Sequence, residues 1–269
     1  MSSYSVSSVL ARAGRADIRL DPFPHIVIPD VLEAAGYAQL AESYPGFGRI
    51  GWDDPARRIP SNQRFMLGAD MIMADSGMPD CWRAFAARHS GPEFLAEVEE
   101  LFAGHWHPAL RRVLDGRLTG HTTARLSFMT APPGDETILQ DARIEINTPV
   151  SGKASVSRGA HLDTPNRLFT GLLYFRDPAD DSVGGELVLY RWRDGVSSQP
   201  FAFQQPAEAV EEVVRIPYRA NQLVMFPQGI HALHGVGMRH PTPHMRRYVF
   251  ITAELRQDWL ADWLADGEA

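Results

Sequence analysis

The chain has 269 residues, 44% of them hydrophobic and 22% charged, a composition typical of a globular protein that can bury a sizeable core. Its formal net charge of −7 argues against nucleic acid as a partner, because neutralising phosphates requires a basic face. The single cysteine, Cys81, excludes an internal disulfide and is typical of a reducing compartment.

The N-terminal sequence and the hydropathy of the chain indicate neither secretion nor a membrane span. Residues 1–20 lack the long apolar core and the small-residue cleavage pattern of a signal peptide. No apolar run approaches the roughly 18 residues needed to cross a bilayer. We therefore expect a cytoplasmic protein without a membrane partner.

The first 118 residues show mainly helical patterns. His25–Ile28 is typical of a short strand, and Asp30 with Glu33 predicts an N-cap and capping box for a first helix. Ser90 with Glu93 predicts the same kind of start for a second helix. The apolar stripe of that second helix comprises Phe94, Val98, Leu101 and Phe102.

From about residue 119 the sequence changes to short β-branched and aromatic runs separated by Gly, Pro, Asp and Asn. The predicted strands are TARLSFMTA, ARIEINT, LFTGLLYF, GGELVLYRW, EEVVRIPY, QLVMFP and RRYVFITAEL. Helices followed by such strands predict an α+β fold, a double-stranded β-helix (jelly roll) with N-terminal helices packed on one sheet. We expect one domain over residues 1–269: helical support in 1–118, the jelly-roll core in 119–256 and a C-terminal tail helix in 257–269.

A histidine and an aspartate stand one residue apart just before the run LFTGLLYF. On an extended chain, His161 and Asp163 would point to the same face and could bind one metal. H-x-D alone is weak evidence, because it also occurs in polar turns before strands. The segment QLVMFPQGIHALHGVGM adds two candidates for a third ligand, His231 and His234. Two histidines and a carboxylate suit non-haem Fe(II) with open coordination positions, rather than structural zinc, whose sites are usually closed and Cys-rich.

These residues belong to an ordered series of motifs: H-L-D-T-P-N, G-L-L-Y-F, G-G-E-L-V-L-Y, F-P-x6-H-G-V and R-R-Y-V. In this order and spacing the series resembles the core of the Fe(II)/2-oxoglutarate-dependent dioxygenases, in particular the prolyl-hydroxylase-like branch. The opening PFPHIVIPDVL is similar to the N-terminal strand and helix of that branch, so the likeness covers residues 22–255. The resemblance implies an oxygenase that uses Fe(II) with 2-oxoglutarate and O2 as cosubstrates.

The resemblance also implies specific iron ligands, namely His161, Asp163 and His234. His231 is the competing third ligand, and His234 is preferred because its H-G-V context matches the H-x-V step of the family. His231 would then be a loop residue near the site.

A basic residue on the last core strand is implied as the anchor for the distal carboxylate of 2-oxoglutarate. Arg246 and Arg247 are adjacent and point to opposite faces, so only one can enter the pocket. We expect Arg247 to face inward, because aliphatic residues share its face, whereas aromatic residues share the face of Arg246. Val249 stands where the family often has Ser or Thr, which leaves the second carboxylate contact open. Tyr174 lies where related enzymes place a phenol near the same carboxylate; a core aromatic is the alternative.

Other polar residues near these motifs are weaker candidates for the site. One strand carries three that share a face: Arg143, Glu145 and Asn147. They could hold 2-oxoglutarate or a polar substrate if that face is interior, and would otherwise be solvated. Three more flank the metal motif and could line the substrate entrance: Arg158, Asn166 and Arg167.

The reaction implied by the resemblance couples decarboxylation of 2-oxoglutarate to oxidation of an unactivated C–H bond. Asp163 favours hydroxylation, since related halogenases replace that carboxylate by Ala or Gly. A compact chain favours a small-molecule substrate, such as an amino acid, a peptide-derived metabolite or a sugar, with protein side-chain hydroxylation as the alternative. An alternative from another functional class is a non-catalytic jelly-roll or cupin-like metal-binding protein. The sequence does not indicate the oligomeric state.

Overall fold

The computed structural model describes residues 6–51, 59–127, 134 and 137–265. Within these residues the strands are β1 (Ile26–Ile28), β2 (Arg64–Leu67), β3 (Thr123–Arg125), β4 (Ile138–Asn147), β5 (Arg167–Tyr174), β6 (Leu187–Trp192), β7 (Val210–Ile216), β8 (Leu223–Pro227), β9 (His234–Val236) and β10 (Arg246–Glu254). The α-helices are α1 (Ala34–Glu42), α2 (Phe47–Ile50), α3 (Ala69–Ala74), α4 (Asp80–His89), α5 (Pro92–Leu101), α6 (Leu110–Val113) and α7 (Trp259–Ala265). Single-turn 3₁₀ helices occupy Arg15–Asp17 and Ala207–Ala209.

The strands form two sheets. The major sheet has seven strands in the order β1-β8-β5-β10-β4-β2, with β3 paired in parallel to β4. The minor sheet has three strands in the order β7-β6-β9, and every other pairing between strands is antiparallel within the described residues. Leu172 and Phe250 of the major sheet pack in one apolar cluster with Leu187 and Leu189 of the minor sheet. This pairing of two sheets around a shared interior is the predicted jelly-roll core of an α+β fold.

The helices cover the opposite face of the major sheet. Ile144 of β4 and Val249 and Ile251 of β10 belong to the same buried cluster as Trp82 of α4 and Phe94 of α5. Because side chains alternate along a strand, the neighbouring positions of β4 and β10 point into the jelly roll. The aliphatic face of the sheet therefore packs on the helices, and this leaves the more polar face for the interior.

Two of the predicted helix starts are wrong. The first helix begins at Ala34 with Glu33 as its N-cap, while Asp30 adopts a left-handed backbone with φ of 47° and caps nothing. The second, α5, has Gly91 as its N-cap and a proline at its first position. Ser90 instead follows the end of α4, where its hydroxyl donates to the carbonyl oxygen of Ala86 at 2.7 Å.

The predicted strands are present, with two short ones added. The run TARLSFMTA supplies β3, and its residues 128–131 lie outside the described residues. Sequence patterns missed β2 and the three-residue β9. The tail helix extends to Ala265, and 266–269 lie outside the described part. The division of the chain into helical support, core and tail stays a prediction. No helix in the described ranges is long and apolar enough to cross a bilayer.

Candidate metal centre

The backbone brings two of the predicted ligands together. His161, in the loop before β5, forms an isolated antiparallel bridge with His234, the first residue of β9. The two residues exchange backbone hydrogen bonds of 2.8 and 3.0 Å. Gly235 makes this approach possible, because a Cβ there would lie 2.6 Å from the carbonyl carbon and oxygen of Gly159.

The side chains of His161, Asp163 and His234 converge on one point. Nε2 of His161 lies 3.9 Å from Oδ1 of Asp163, and Nε2 of His234 lies 3.8 Å from Oδ2. The three donor atoms lie within 4.8 Å of one another, and all three residues are buried. This spacing allows one ion to contact all three.

Hydrogen bonds fix the orientation of both imidazoles. Nδ1 of His161 donates to the carbonyl oxygen of Gly159 at 2.7 Å, and Nδ1 of His234 donates to that of Ala232 at 3.0 Å. Since a carbonyl oxygen only accepts, each neutral ring carries its proton on Nδ1 and leaves the Nε2 lone pair free for a metal.

The electrostatics favour the protonation states that a metal requires. Burial is the main cause that lowers the pKa of both histidines, so the imidazoles stay neutral. Burial alone would raise the pKa of Asp163, but the charge of Arg167 and a hydrogen bond from the Thr170 hydroxyl act in the opposite direction, and that pKa is lowered. The site therefore combines two neutral imidazoles with an ionised carboxylate.

His231, the competing third ligand, has an exposed side chain and does not join this group. The structure brings His234 to His161 and Asp163 instead.

The three donors line a cavity of about 410 Å³ between the two sheets. Its polar lining includes Arg246 from β10, Asn147 from β4 and Arg158 from the loop before β5. Leu172, Leu187, Val236 and Phe250 form apolar walls. Arg64 of β2 also lines the cavity, and sequence patterns missed it because β2 was not predicted.

The expectation that Arg247 faces the pocket is wrong, since Arg246 does. Arg246 is 2% exposed and lines the cavity. Arg247 points the other way, where Nη1 lies 3.0 Å from Oδ2 of Asp177 and the guanidinium lies over the ring of Tyr44. Its side chain is 33% exposed.

The aromatic residues that were expected to crowd an inward Arg246 hold it instead. The guanidinium carbon lies 4.9 Å from the ring centroid of Tyr174, 5.0 Å from that of Tyr218 and 4.8 Å from that of Tyr248. A guanidinium is attracted to the faces of such rings. Nε of Arg246 donates to the carbonyl oxygen of Gly185 at 3.1 Å.

Two polar atoms in this region lack a partner. Within the described residues, neither Nη2 of Arg246 nor the hydroxyl of Tyr174 has a hydrogen-bond partner, although both atoms are buried. Burial raises the pKa of Tyr174, and both the charge of Arg246 and the approach of its guanidinium to the hydroxyl oppose that shift. Arg246 lines the cavity, whereas Tyr174 lies behind its lining. Buried groups of this kind are normally paired, so Nη2 of Arg246 is the donor that an anionic ligand in the cavity would satisfy.

The face shared by Arg143, Glu145 and Asn147 is interior, because all three are buried on the side opposite to the helix-facing Ile144 and Ile146. Nε of Arg143 donates to Oε1 of Glu145 at 2.6 Å, and Nη1 lies 3.2 Å from Oδ2 of Asp141. Of the three, only Asn147 lines the cavity. Arg143 and Glu145 thus belong to an internal ion-pair group behind the cavity wall.

The three residues flanking the metal motif separate in the structure. Arg158 lines the cavity. Asn166 donates to the carbonyl oxygen of Leu255 at 2.8 Å, and Arg167 pairs with Glu254 at 2.7 Å, so both fasten the loop to the end of β10.

Comparison with known proteins supports the fold. No protein-family model matches the sequence, and no curated protein matches it. A prolyl 4-hydroxylase structure from Phytophthora capsici is similar over 98% of this chain and 75% of that chain, at 18% identity and a TM-score of 0.50. A Pseudomonas putida prolyl-4-hydroxylase is similar over 91% of this chain and 98% of that chain, at 16% identity and a TM-score of 0.42. The epimerase SnoN, in a complex that contains Fe3+ and alpha ketoglutarate, is similar over 88% of this chain and 83% of that chain, at 16% identity and a TM-score of 0.47. At 18% identity the Phytophthora structure establishes a shared fold, which confirms the architecture that the motifs imply.

Proposed function

We propose that this chain is an Fe(II)- and 2-oxoglutarate-dependent dioxygenase that hydroxylates an unactivated C–H bond of a small molecule. One observation carries the proposal: His161, Asp163 and His234 direct three ligand atoms to one point of a cavity. The same cavity holds the buried guanidinium of Arg246, which has an unpaired nitrogen.

The donor set fits Fe(II). Two imidazole nitrogens and one carboxylate on a β scaffold form the facial triad of non-haem iron oxygenases, which leaves positions open for cosubstrates. The backbone carbonyls of Gly159 and Ala232 and the hydroxyl of Thr170 orient these ligands, as outer partners do at metal sites. When bound, Fe(II) would supply the redox chemistry that couples O2 to C–H oxidation.

Arg246 and Tyr174 fit the distal carboxylate of 2-oxoglutarate. Within the described residues Arg246 forms no ion pair, and a buried uncompensated charge is costly. A carboxylate could accept from Nη2 of Arg246 and from the hydroxyl of Tyr174, the two atoms that lack partners. Charge-assisted bonds of this type are among the stronger hydrogen bonds in proteins.

The proposed overall reaction inserts one oxygen atom of O2 into the C–H bond and the other into succinate. Oxidative decarboxylation of 2-oxoglutarate, which releases CO2, supplies two of the four electrons that reduce O2, and oxidation of the C–H bond to the alcohol supplies the other two. The apolar walls, including Leu172 and Phe250, would exclude water and hold the C–H bond in place. Asp163 occupies the carboxylate position, which by resemblance favours hydroxylation.

The size of the cavity supports a small-molecule substrate. Its volume of about 410 Å³ lies within the roughly 300–1,000 Å³ common for small-molecule sites. Hydroxylation of a protein side chain is the alternative, for which a peptide would have to lie across the cavity entrance.

An anaerobic titration tests the proposal. Fe(II) with 2-oxoglutarate should give the visible charge-transfer band expected of such complexes by resemblance, and succinate should form when O2 is admitted. The Asp163→Ala variant should lose both signals. Asp177→Ala is the matched control, because Asp177 pairs with Arg247 outside the cavity. The absence of the band in the wild type, or an unchanged band and unchanged succinate in Asp163→Ala, would refute the assignment.

A further inference from the structure

We infer that the substrate carries a carboxylate, bound by Arg158 at the rim of the cavity beside Phe203, on an apolar body that faces the metal centre. This inference rests on the proposed function and specifies its substrate class.

The first argument is the balance of charge around the cavity. Three arginines line it, namely Arg64, Arg158 and Arg246, against one carboxylate, Asp163, among the described lining residues. In the proposed complex the charges of Fe(II) and 2-oxoglutarate cancel, and those of Asp163 and Arg246 cancel as well. Two arginines then remain to be considered.

Arg64 has a carboxylate partner behind the cavity wall. Its Nε lies 3.4 Å from Oε2 of Glu145, and the charge of Glu145 is the main cause that raises the pKa of Arg64. Arg143, behind the cavity wall, is compensated in the same way by Asp141 and Glu145.

Of the three arginines that line the cavity, Arg158 is the one that neither a carboxylate of the described residues nor the proposed cosubstrate neutralises. Its Nε donates to the carbonyl oxygen of Phe203 at 2.9 Å and its Nη2 to that of Leu162 at 3.4 Å, and it forms no ion pair within the described residues. These two neutral acceptors orient the guanidinium without neutralising it. The rim of the cavity therefore carries one surplus positive charge, which favours an anionic ligand.

The loop between β6 and β7 holds this group in place. The Gln204 side chain accepts from the backbone N–H of Gly159 at 3.0 Å, and the backbone N–H of Gln205 donates to Ala160 at 2.7 Å. The same loop places the ring of Phe203 5.0 Å from the guanidinium carbon of Arg158. An oriented guanidinium presents the planar fork that binds a carboxylate through two parallel hydrogen bonds.

Phe203 supplies the second observation that points to a ligand. It is 72% exposed, although it is a large apolar side chain, and it lines the cavity. Leu187, Val236 and Phe250 continue the apolar lining of the cavity. A substrate with a carboxylate at one end and an apolar body matches this arrangement, in which Arg158 lies at the rim and apolar side chains line the cavity.

Binding of matched acid and amide pairs tests the inference. Anaerobic calorimetry on the full chain with Fe(II) and 2-oxoglutarate would compare 3-phenylpropanoate and hexanoate with their primary amides. We expect the acids to bind about tenfold more tightly, the effect of one charge-assisted contact. Arg158→Gln should reduce that preference to about one- to twofold. Arg191→Gln, which removes an exposed arginine paired with Asp21, should leave it unchanged.

Several results would overturn the inference. Equal affinity for acids and amides in the wild type would do so, as would an acid preference that survives Arg158→Gln. So would acids that fail to bind to a protein showing the Fe(II)–2-oxoglutarate band. An Arg158→Gln variant that loses 2-oxoglutarate affinity would show that Arg158 serves the cosubstrate instead. A missing Fe(II)–2-oxoglutarate band in the wild type would refute the proposed function itself, and this result distinguishes that failure from a failure of the substrate inference alone.

Discussion

Replacing Arg246 by Gln removes the buried guanidinium that we assign to the distal carboxylate of 2-oxoglutarate. The change deletes the contact from Nη2 and the cationic charge held among Tyr174, Tyr218 and Tyr248. Hydrogen bonds to charged groups contribute about 1.5–3 kcal/mol each. The dissociation constant of 2-oxoglutarate should therefore rise by about 10- to 150-fold. Arg246→Lys keeps the charge but loses the fork and the bond to Gly185, so we expect an intermediate effect.

The neighbouring arginine provides a matched control on the same strand. Arg247→Gln removes an ion pair with Asp177 outside the cavity, and such exposed pairs contribute about 0.2–1 kcal/mol. We expect it to lower the free energy of unfolding by no more than that and to leave 2-oxoglutarate affinity unchanged.

The assay is anaerobic titration of the Fe(II)-loaded protein with 2-oxoglutarate, followed by the charge-transfer band, with urea denaturation to check folding. A rise in the dissociation constant for Arg247→Gln, with wild-type binding in Arg246→Gln, would refute the assignment of the two faces of β10. Equal losses in both variants would show that neither face reaches the ligand selectively.

Three further predictions follow from particular contacts. Tyr174→Phe should weaken 2-oxoglutarate binding by about 2- to 12-fold, the effect of one lost hydrogen bond, because it removes a buried hydroxyl beside the Arg246 guanidinium. Unchanged affinity would contradict its role. Gly235→Ala should weaken Fe(II) binding, since a Cβ would meet Gly159 at 2.6 Å. The control is Gly36→Ala in α1, where a Cβ has open space; it should raise the free energy of unfolding by up to about 1 kcal/mol in chemical denaturation. Equal effects of the two variants on metal binding would refute the steric argument. Burial lowers the pKa of His89 from 6.5 to about 3 in the folded protein. As the pH falls below 6.5, His89 is therefore protonated in the unfolded chain but not in the folded one, and the stability that the neutral buried ring contributes is lost. The free energy of unfolding should drop by about 2 kcal/mol near pH 5, and a variant His89→Gln with the same pH slope as the wild type would contradict this.

The first half of the metal motif could be predicted from the sequence because its geometry is local. The two-residue repeat of an extended chain places His161 and Asp163 on one side, whereas the choice of His234 over His231 rested on the resemblance of its H-G-V context to the H-x-V step of the family. The bridge between His161 and His234 joins residues 73 positions apart in number, and local periodicity does not specify it; the resemblance to a known family supplied it instead.

The predictions of the helix starts were wrong for a different physical reason. Ser90 with Glu93 has the composition of a capping box, but the preceding residues already form α4, and Ser90 closes that helix through Ala86. A hydroxyl near a helix boundary satisfies either a free N–H at a start or a free C=O at an end. Composition alone does not distinguish these uses when two helices are separated by two residues.

The orientation of Arg246 depends on which face of the sheet meets the helices. The apolar stripe of α5, including Phe94 and Val98, requires an aliphatic sheet face, and in β10 that face carries Val249 and Ile251. Arg246 must then share the interior.

The pairing of β10 with β4 leads to the same orientation. Arg246 lies opposite Asn147, Tyr248 opposite Glu145, and Phe250 opposite Arg143, so residues of one face lie beside residues of the same face. The guanidinium of Arg143 lies 4.5 Å from the ring centroid of Phe250, as an interior that mixes charges with aromatic rings allows. The expectation for Arg247 assumed an aliphatic tunnel around the anchor. A sheet with helices on one face and a polar ligand site on the other needs the opposite distribution: Val249 and Ile251 pack on the helices, and Arg247, at the start of β10 on that side, pairs with Asp177 outside the cavity.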